Sequence, residues 1–139
     1  MKSKLILIFM FAALFPSCEE EDGYNVWREE SGLYKPKCTI ASVTKIEKDQ
    51  NNYLPKLKVV VQNKEDGVTA YTVGANIKFK RGDLIVDRSL IYFGTLKRGE
   101  SMVEQTSLSL DSHSDYTKCV ITLDWSDATG RTYQREFVY

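Results

Sequence analysis

From Tyr71 to Lys80 the chain alternates apolar and polar side chains with no break in phase. Tyr71, Val73, Ala75, Ile77 and Phe79 fall on one side, and Thr72, Asn76, Lys78 and Lys80 on the other. Successive side chains of a strand point to opposite faces, so a period of two over this length predicts a half-buried β-strand. A strand with one apolar face is not stable alone. It needs neighbours in a sheet and a second layer over that face.

The rest of the chain supplies both. Lys56–Gln62 alternates in the same way, with Leu57, Val59 and Val61 on one face. Arg81-Gly82-Asp83 predicts a turn, and Leu84–Arg88 returns from it as the second arm of a hairpin. Thr117–Trp125 places Cys119, Ile121, Leu123 and Trp125 inward. After a turn at Asp127–Gly130, Thr132–Tyr139 sets Tyr133, Phe137 and Tyr139 on one side. Weaker strand patterns lie at 38–46 and 101–110, and no window carries a capped amphipathic helix. Seven short strands over residues 36–139 predict one all-β domain, an antiparallel immunoglobulin-like β-sandwich.

The stretch Leu57–Asn63, then the long strand Tyr71–Lys80, then Leu96-Lys97-Arg98-Gly99-Glu100 before another strand resembles small immunoglobulin-like sandwich domains of the FxLYD type. The likeness covers residues 38–110. It implies a sandwich and a non-catalytic module, and no site residues come with it.

The N-terminus constrains location. Lys2 and Lys4 precede an unbroken apolar run, Leu5–Phe15, too short to span a bilayer, which takes about 20 residues. Charge, run length and position predict an export signal over residues 1–17. Ser17-Cys18 ends it with a small residue before cysteine, which resembles a bacterial lipobox and implies that Cys18 carries lipid as the first residue of the mature chain. Residues 18–35 read as a tether. Its acidic start, Glu19–Asp22, resembles the surface-export signal of Bacteroidota-type lipoproteins. The expected place is therefore the outer membrane, lipid-anchored at the cell surface, with the periplasmic face as the alternative.

Charge and motifs exclude more than they assign. The precursor has 19 basic and 19 acidic residues, and losing Lys2 and Lys4 leaves a net charge of about −2. Nothing there favours nucleic acid. With one histidine and no Cys-x-x-Cys, neither a metal site nor a cofactor is expected. Asp111-Ser112-His113-Ser114-Asp115 gathers the residue types of a hydrolytic triad, but triad members converge from separate elements, so a polar turn is expected. Gly94–Ser101 has the glycine spacing of a phosphate loop, yet Glu100 stands where the lysine belongs.

Two thiols remain after Cys18. Cys38 and Cys119 both have inward parity, and export favours disulfides. A bridge and two buried free thiols both stay open. Among aromatics, Trp27, Trp125 and Tyr53 could stack on sugars. Trp125 has core parity, and Tyr53, in the polar loop Asp49–Tyr53, is the candidate for an exposed ligand contact. The expected function is a non-catalytic domain that binds a protein or glycan partner at the envelope. A purely structural assembly subunit is the alternative, and a hydrolase ranks behind both.

Overall fold

The computed structural model describes residues 34–64 and 68–139. The signal, Cys18 and almost all of the tether lie outside these residues. Seven strands follow in order: β1 (Cys38–Ile46), β2 (Lys56–Asn63), β3 (Ala70–Arg81), β4 (Leu84–Leu96), β5 (Ser101–Ser107), β6 (Lys118–Ser126) and β7 (Thr132–Val138). They form two antiparallel sheets, β1-β2-β5 and β4-β3-β6-β7. The expected seven-strand sandwich is therefore the fold, and the connections β2–β3, β4–β5 and β5–β6 each cross between its sheets.

The core is the sum of the inward faces. Leu57, Val59 and Val61 of β2 meet Val73, Ala75, Ile77 and Phe79 of β3 and Cys119, Ile121, Leu123 and Trp125 of β6. Each fully buried aliphatic side chain contributes roughly 1.5–3 kcal/mol relative to leaving it in water. Phe79 meets Tyr116 edge-on, with centroids 4.9 Å apart. Trp125 is buried, and its indole Nε1 donates to the Pro36 carbonyl at 3.1 Å, which seals the entry of the chain onto the core.

Two departures from simple alternation have a common cause. The β3–β6 register slips between Tyr71 and Gly74, and Thr72 has φ +51°. This bulge turns Ala70 fully inward and leaves Tyr71 half-exposed, where unbroken alternation expects Tyr71 in the core. In β1 the register slips between Ile40 and Ser42, so Val43 packs against the core three residues after Ile40. The returning arm of the hairpin is also longer than its pattern suggests, since β4 runs on to Leu96. Gly82, at φ +61°, opens that hairpin's two-residue turn, where a positive φ at the first central position matches the right-handed twist of the strands.

Two polar residues tie the ends of the sandwich together. Asn63 is fully buried. Its Nδ2 donates to the carbonyls of Val68 at 2.7 Å and Leu96 at 3.0 Å, and its Oδ1 accepts from Lys37 N at 3.2 Å. At the other end, His113 is buried in one turn of 3-10 helix, His113–Asp115. Its Nε2 faces two carbonyl oxygens, Lys56 at 2.9 Å and Ile46 at 3.2 Å. Carbonyls only accept, so Nε2 carries the proton and Nδ1 accepts from the Tyr116 hydroxyl at 2.5 Å. Burial first, then Cys119 and Glu47, push the Tyr116 phenol well above its usual range, which keeps it a donor.

Candidate functional site

The outer face of the four-stranded sheet holds polar groups that the fold leaves unused. Gly74 of β3 pairs with Tyr92 of β4 on one side and Asp124 of β6 on the other. Neighbouring strands are about 4.8 Å apart, so Tyr92 and Asp124 stand about 10 Å apart across a position without a side chain. The result is a notch of about 340 Å³, with Thr72, Asn76 and Leu90 at its rim. Tyr92 is 69% exposed and Leu90 77%. A second hollow, lined by Asn76, Arg88, Ser89 and Leu90, continues from it along β4.

The notch owes its shape to Gly74. A β-carbon there would lie 3.5 Å from the Ile91 carbonyl oxygen and 3.8 Å from Asp124 Oδ1. Both are ordinary van der Waals contacts, so packing at the β-carbon does not require glycine. The β3 bulge stands at its rim. Thr72 is a β-branched residue at positive φ, a strained conformation that the surroundings must hold. Its Oγ1 donates to the Tyr71 carbonyl at 2.7 Å and shares a hydrogen bond with Ser126 Oγ at 2.9 Å. Asp124 is exposed, and partial desolvation by its neighbours raises its carboxyl above the ordinary value. Among the described residues no side chain or amide donates to that carboxylate, to the Asn76 carboxamide or to the Tyr92 hydroxyl.

A different cleft, of about 360 Å³, lies between β7 and the residues leading into β1. Its floor is Trp125 and Tyr133, nearly parallel at 16° with centroids 6.1 Å apart. Here the polar atoms of both aromatic side chains are already committed: Trp125 Nε1 to Pro36, and the Tyr133 hydroxyl to Asp127 Oδ2 at 2.8 Å. This cleft reads as a packed seam.

The residues singled out in the sequence do not gather in one place. Cys18 and Trp27 fall outside the described residues. Tyr53 is 91% exposed on the β1–β2 loop and lines neither the notch, the hollow along β4 nor the cleft beside β7. Cys38 and Cys119 are free and buried, the second of the two arrangements that the sequence leaves open. Cys38 sits beside Trp125, whereas Cys119 lies six residues back along β6, paired with Phe79 and Tyr139. That separation is about 20 Å, against the roughly 7 Å a bridge allows. The parity of the two thiols is right; their ends of the sandwich are opposite. Burial pushes the Cys38 thiol up to about 12 and Cys119 to about 11, the latter opposed by Lys45.

Asp111–Asp115 is a turn. Ser112 accepts from Ser114 N at 3.1 Å, Asp115 accepts from Ser112 N at 3.1 Å, and both ring nitrogens of His113 are engaged as above. Gly94–Ser101 runs from the end of β4 into β5, and in the connection between them Glu100 Oε1 accepts from Lys97 N at 2.8 Å. Among the described residues no cluster of His, Cys, Asp and Glu could hold a metal ion, and no helix is long and apolar enough to cross a membrane.

No family model matches the chain, and no curated protein matches it. Among solved structures it is similar to a Bordetella pertussis protein solved under the provisional name ApaA, with 14% identity and a TM-score of 0.43. The match covers 76% of this chain and 94% of that one.

Proposed function

We propose that this chain is a lipid-anchored, non-catalytic domain of the cell envelope. Cys18 holds it at the outer membrane, facing the cell surface, and the outer face of the four-stranded sheet binds a partner there. The anchor rests on Lys2, Lys4, the short apolar run and Ser17-Cys18; the surface location rests on Glu19–Asp22. The resemblance to FxLYD sandwiches, which implies a non-catalytic module, points the same way.

The observation that carries the binding role is the pair Leu90 and Tyr92. Both are large, mostly exposed, and adjacent on one face beside a hollow with unused polar groups. Single exposed apolar side chains need no explanation, but an aromatic next to open polar groups does. The test is photo-crosslinking in cells, with a benzophenone amino acid at position 90 or, on the opposite sheet, at Val103. Adducts from position 90 and none from 103 are expected. Adducts from 103 alone, or from neither, refute the assignment of this face.

A further inference from the structure

We propose that the notch over Gly74 is a carbohydrate subsite, in which Tyr92 packs on the apolar face of a pyranose ring while Asp124 and Asn76 take its hydroxyls. The inference rests on the binding role proposed above and names the ligand class.

A pyranose presents an apolar face of C–H groups and a rim of hydroxyls that both donate and accept. Recognising it takes an aromatic surface beside fixed acceptors and donors, in a hollow shallow enough to admit a ring. The notch has these parts. Tyr92 supplies the aromatic wall, and its ring lies along β4, with Cε2 3.7 Å from where a β-carbon on Gly94 would stand. Asp124, across Gly74, is an acceptor for two hydroxyls and has no donor of its own among the described residues. Asn76, the next outward residue on β3, adds both a donor and an acceptor. Gly74 provides the floor. The hollow continues past Asn76 to Arg88, four residues or about 13 Å along β4 from Tyr92, so further units of a chain have a path.

Other ligand classes fit less well. A cationic ligand long enough to extend along the hollow would meet Lys78 and Arg88, which pair with each other about 13 Å along the same surface. A protein interface needs an apolar centre, and here Leu90 and Tyr92 are interleaved with Asn76, Asp124 and Arg88.

The full chain, solubilised in detergent, is titrated against immobilised neutral-hexose, amino-sugar and uronic-acid oligosaccharides. Binding to at least one class is expected. Tyr92→Ala and Asp124→Asn should each weaken it about tenfold or more, and Gly74→Val, which sets side-chain atoms into the notch, should abolish it. Val103→Ala should bind as the unmodified chain does, and all four should melt within a few degrees of it. Sugar binding that survives Tyr92→Ala and Gly74→Val overturns the site. If no sugar binds but position 90 crosslinks a protein in cells, the carbohydrate inference fails and the binding role stands. If neither occurs, both fail.

Discussion

Replacing Asn63 by Ala should cost the domain a large part of its stability, because one buried carboxamide satisfies three backbone groups at once. Its Nδ2 serves the carbonyls of Val68 and Leu96, and its Oδ1 serves Lys37 N. Val68 and Leu96 are fully buried, so water cannot replace the lost donors. Leaving a buried polar group unpaired costs about 1–3 kcal/mol. Lys37 is exposed, so its N–H can turn to water; taking the lower half of that range, about 1–2 kcal/mol, for each of the two buried carbonyls gives about 2–4 kcal/mol. A domain of about 100 residues has only about 5–15 kcal/mol in hand, and each kcal/mol moves its melting point by about 4–8 °C. The melting point should therefore fall by roughly 10–30 °C, with an unchanged urea m-value. Asn63→Asp keeps the shape but turns a carboxylate toward two carbonyl oxygens. Its burial raises its pKa above the unfolded value, so this variant should gain stability as pH falls, when the protonated acid can donate one hydrogen bond. If Asn63→Ala lies within 1 kcal/mol of the parent, or if Asn63→Asp is insensitive to pH, the carboxamide is not the tie described.

The remaining predictions use the other buried and terminal groups. His113→Leu should destabilise by about 2–4 kcal/mol, since it orphans the Tyr116 hydroxyl and the Lys56 and Ile46 carbonyls, while Tyr116→Phe should cost about 1 kcal/mol; equal effects in chemical denaturation would contradict the hydrogen-bond order. Both thiols have raised folded-state values, so the stability they contribute is complete below pH 9, the model-thiol value, and is lost as pH rises toward about 11 to 12; Cys38→Ala and Cys119→Ala should each flatten that alkaline loss in melting curves. In the native chain at pH 8 neither Cys38 nor Cys119 should react with a thiol reagent, and both should react after denaturation without reductant. Cys18→Ser should leave the protein unprocessed or release it from the membrane, and an unmodified mature N-terminus in mass spectrometry would refute the anchor. Replacing Glu19–Asp22 with alanines should protect the domain from protease added to whole cells; equal cleavage of both forms would refute the role given to those acids.

The sequence by itself determined the layer architecture. A period of two in 56–62, 71–80 and 117–125 predicts strands with one apolar face, and with no capped amphipathic helix pattern in the chain to cover that face, the second layer has to be β as well. The period is a local property of each segment, and it needs no knowledge of partners. It also placed Trp125, Cys38 and Cys119 inside correctly. Everything that depends on where along a strand two residues meet was decided only by the tertiary structure. The bulges at Thr72 and between Ile40 and Ser42 shift phase by one residue, and the hydrophobic pattern tolerates both phases there because Ala70 and Tyr71 are each apolar enough to face inward. The thiols show the same limit: parity says which face, and only register says which end. His113 read as a turn residue because its neighbours are turn formers, while its role comes from carbonyls 57 and 67 positions away. Gly74 was the one visible clue to the notch, since a glycine inside a strand marks a bulge or a close approach. Its meaning came only from the strands on either side, because a missing side chain becomes a site only when the pairing sets an aromatic ring and an unpaired carboxylate across it.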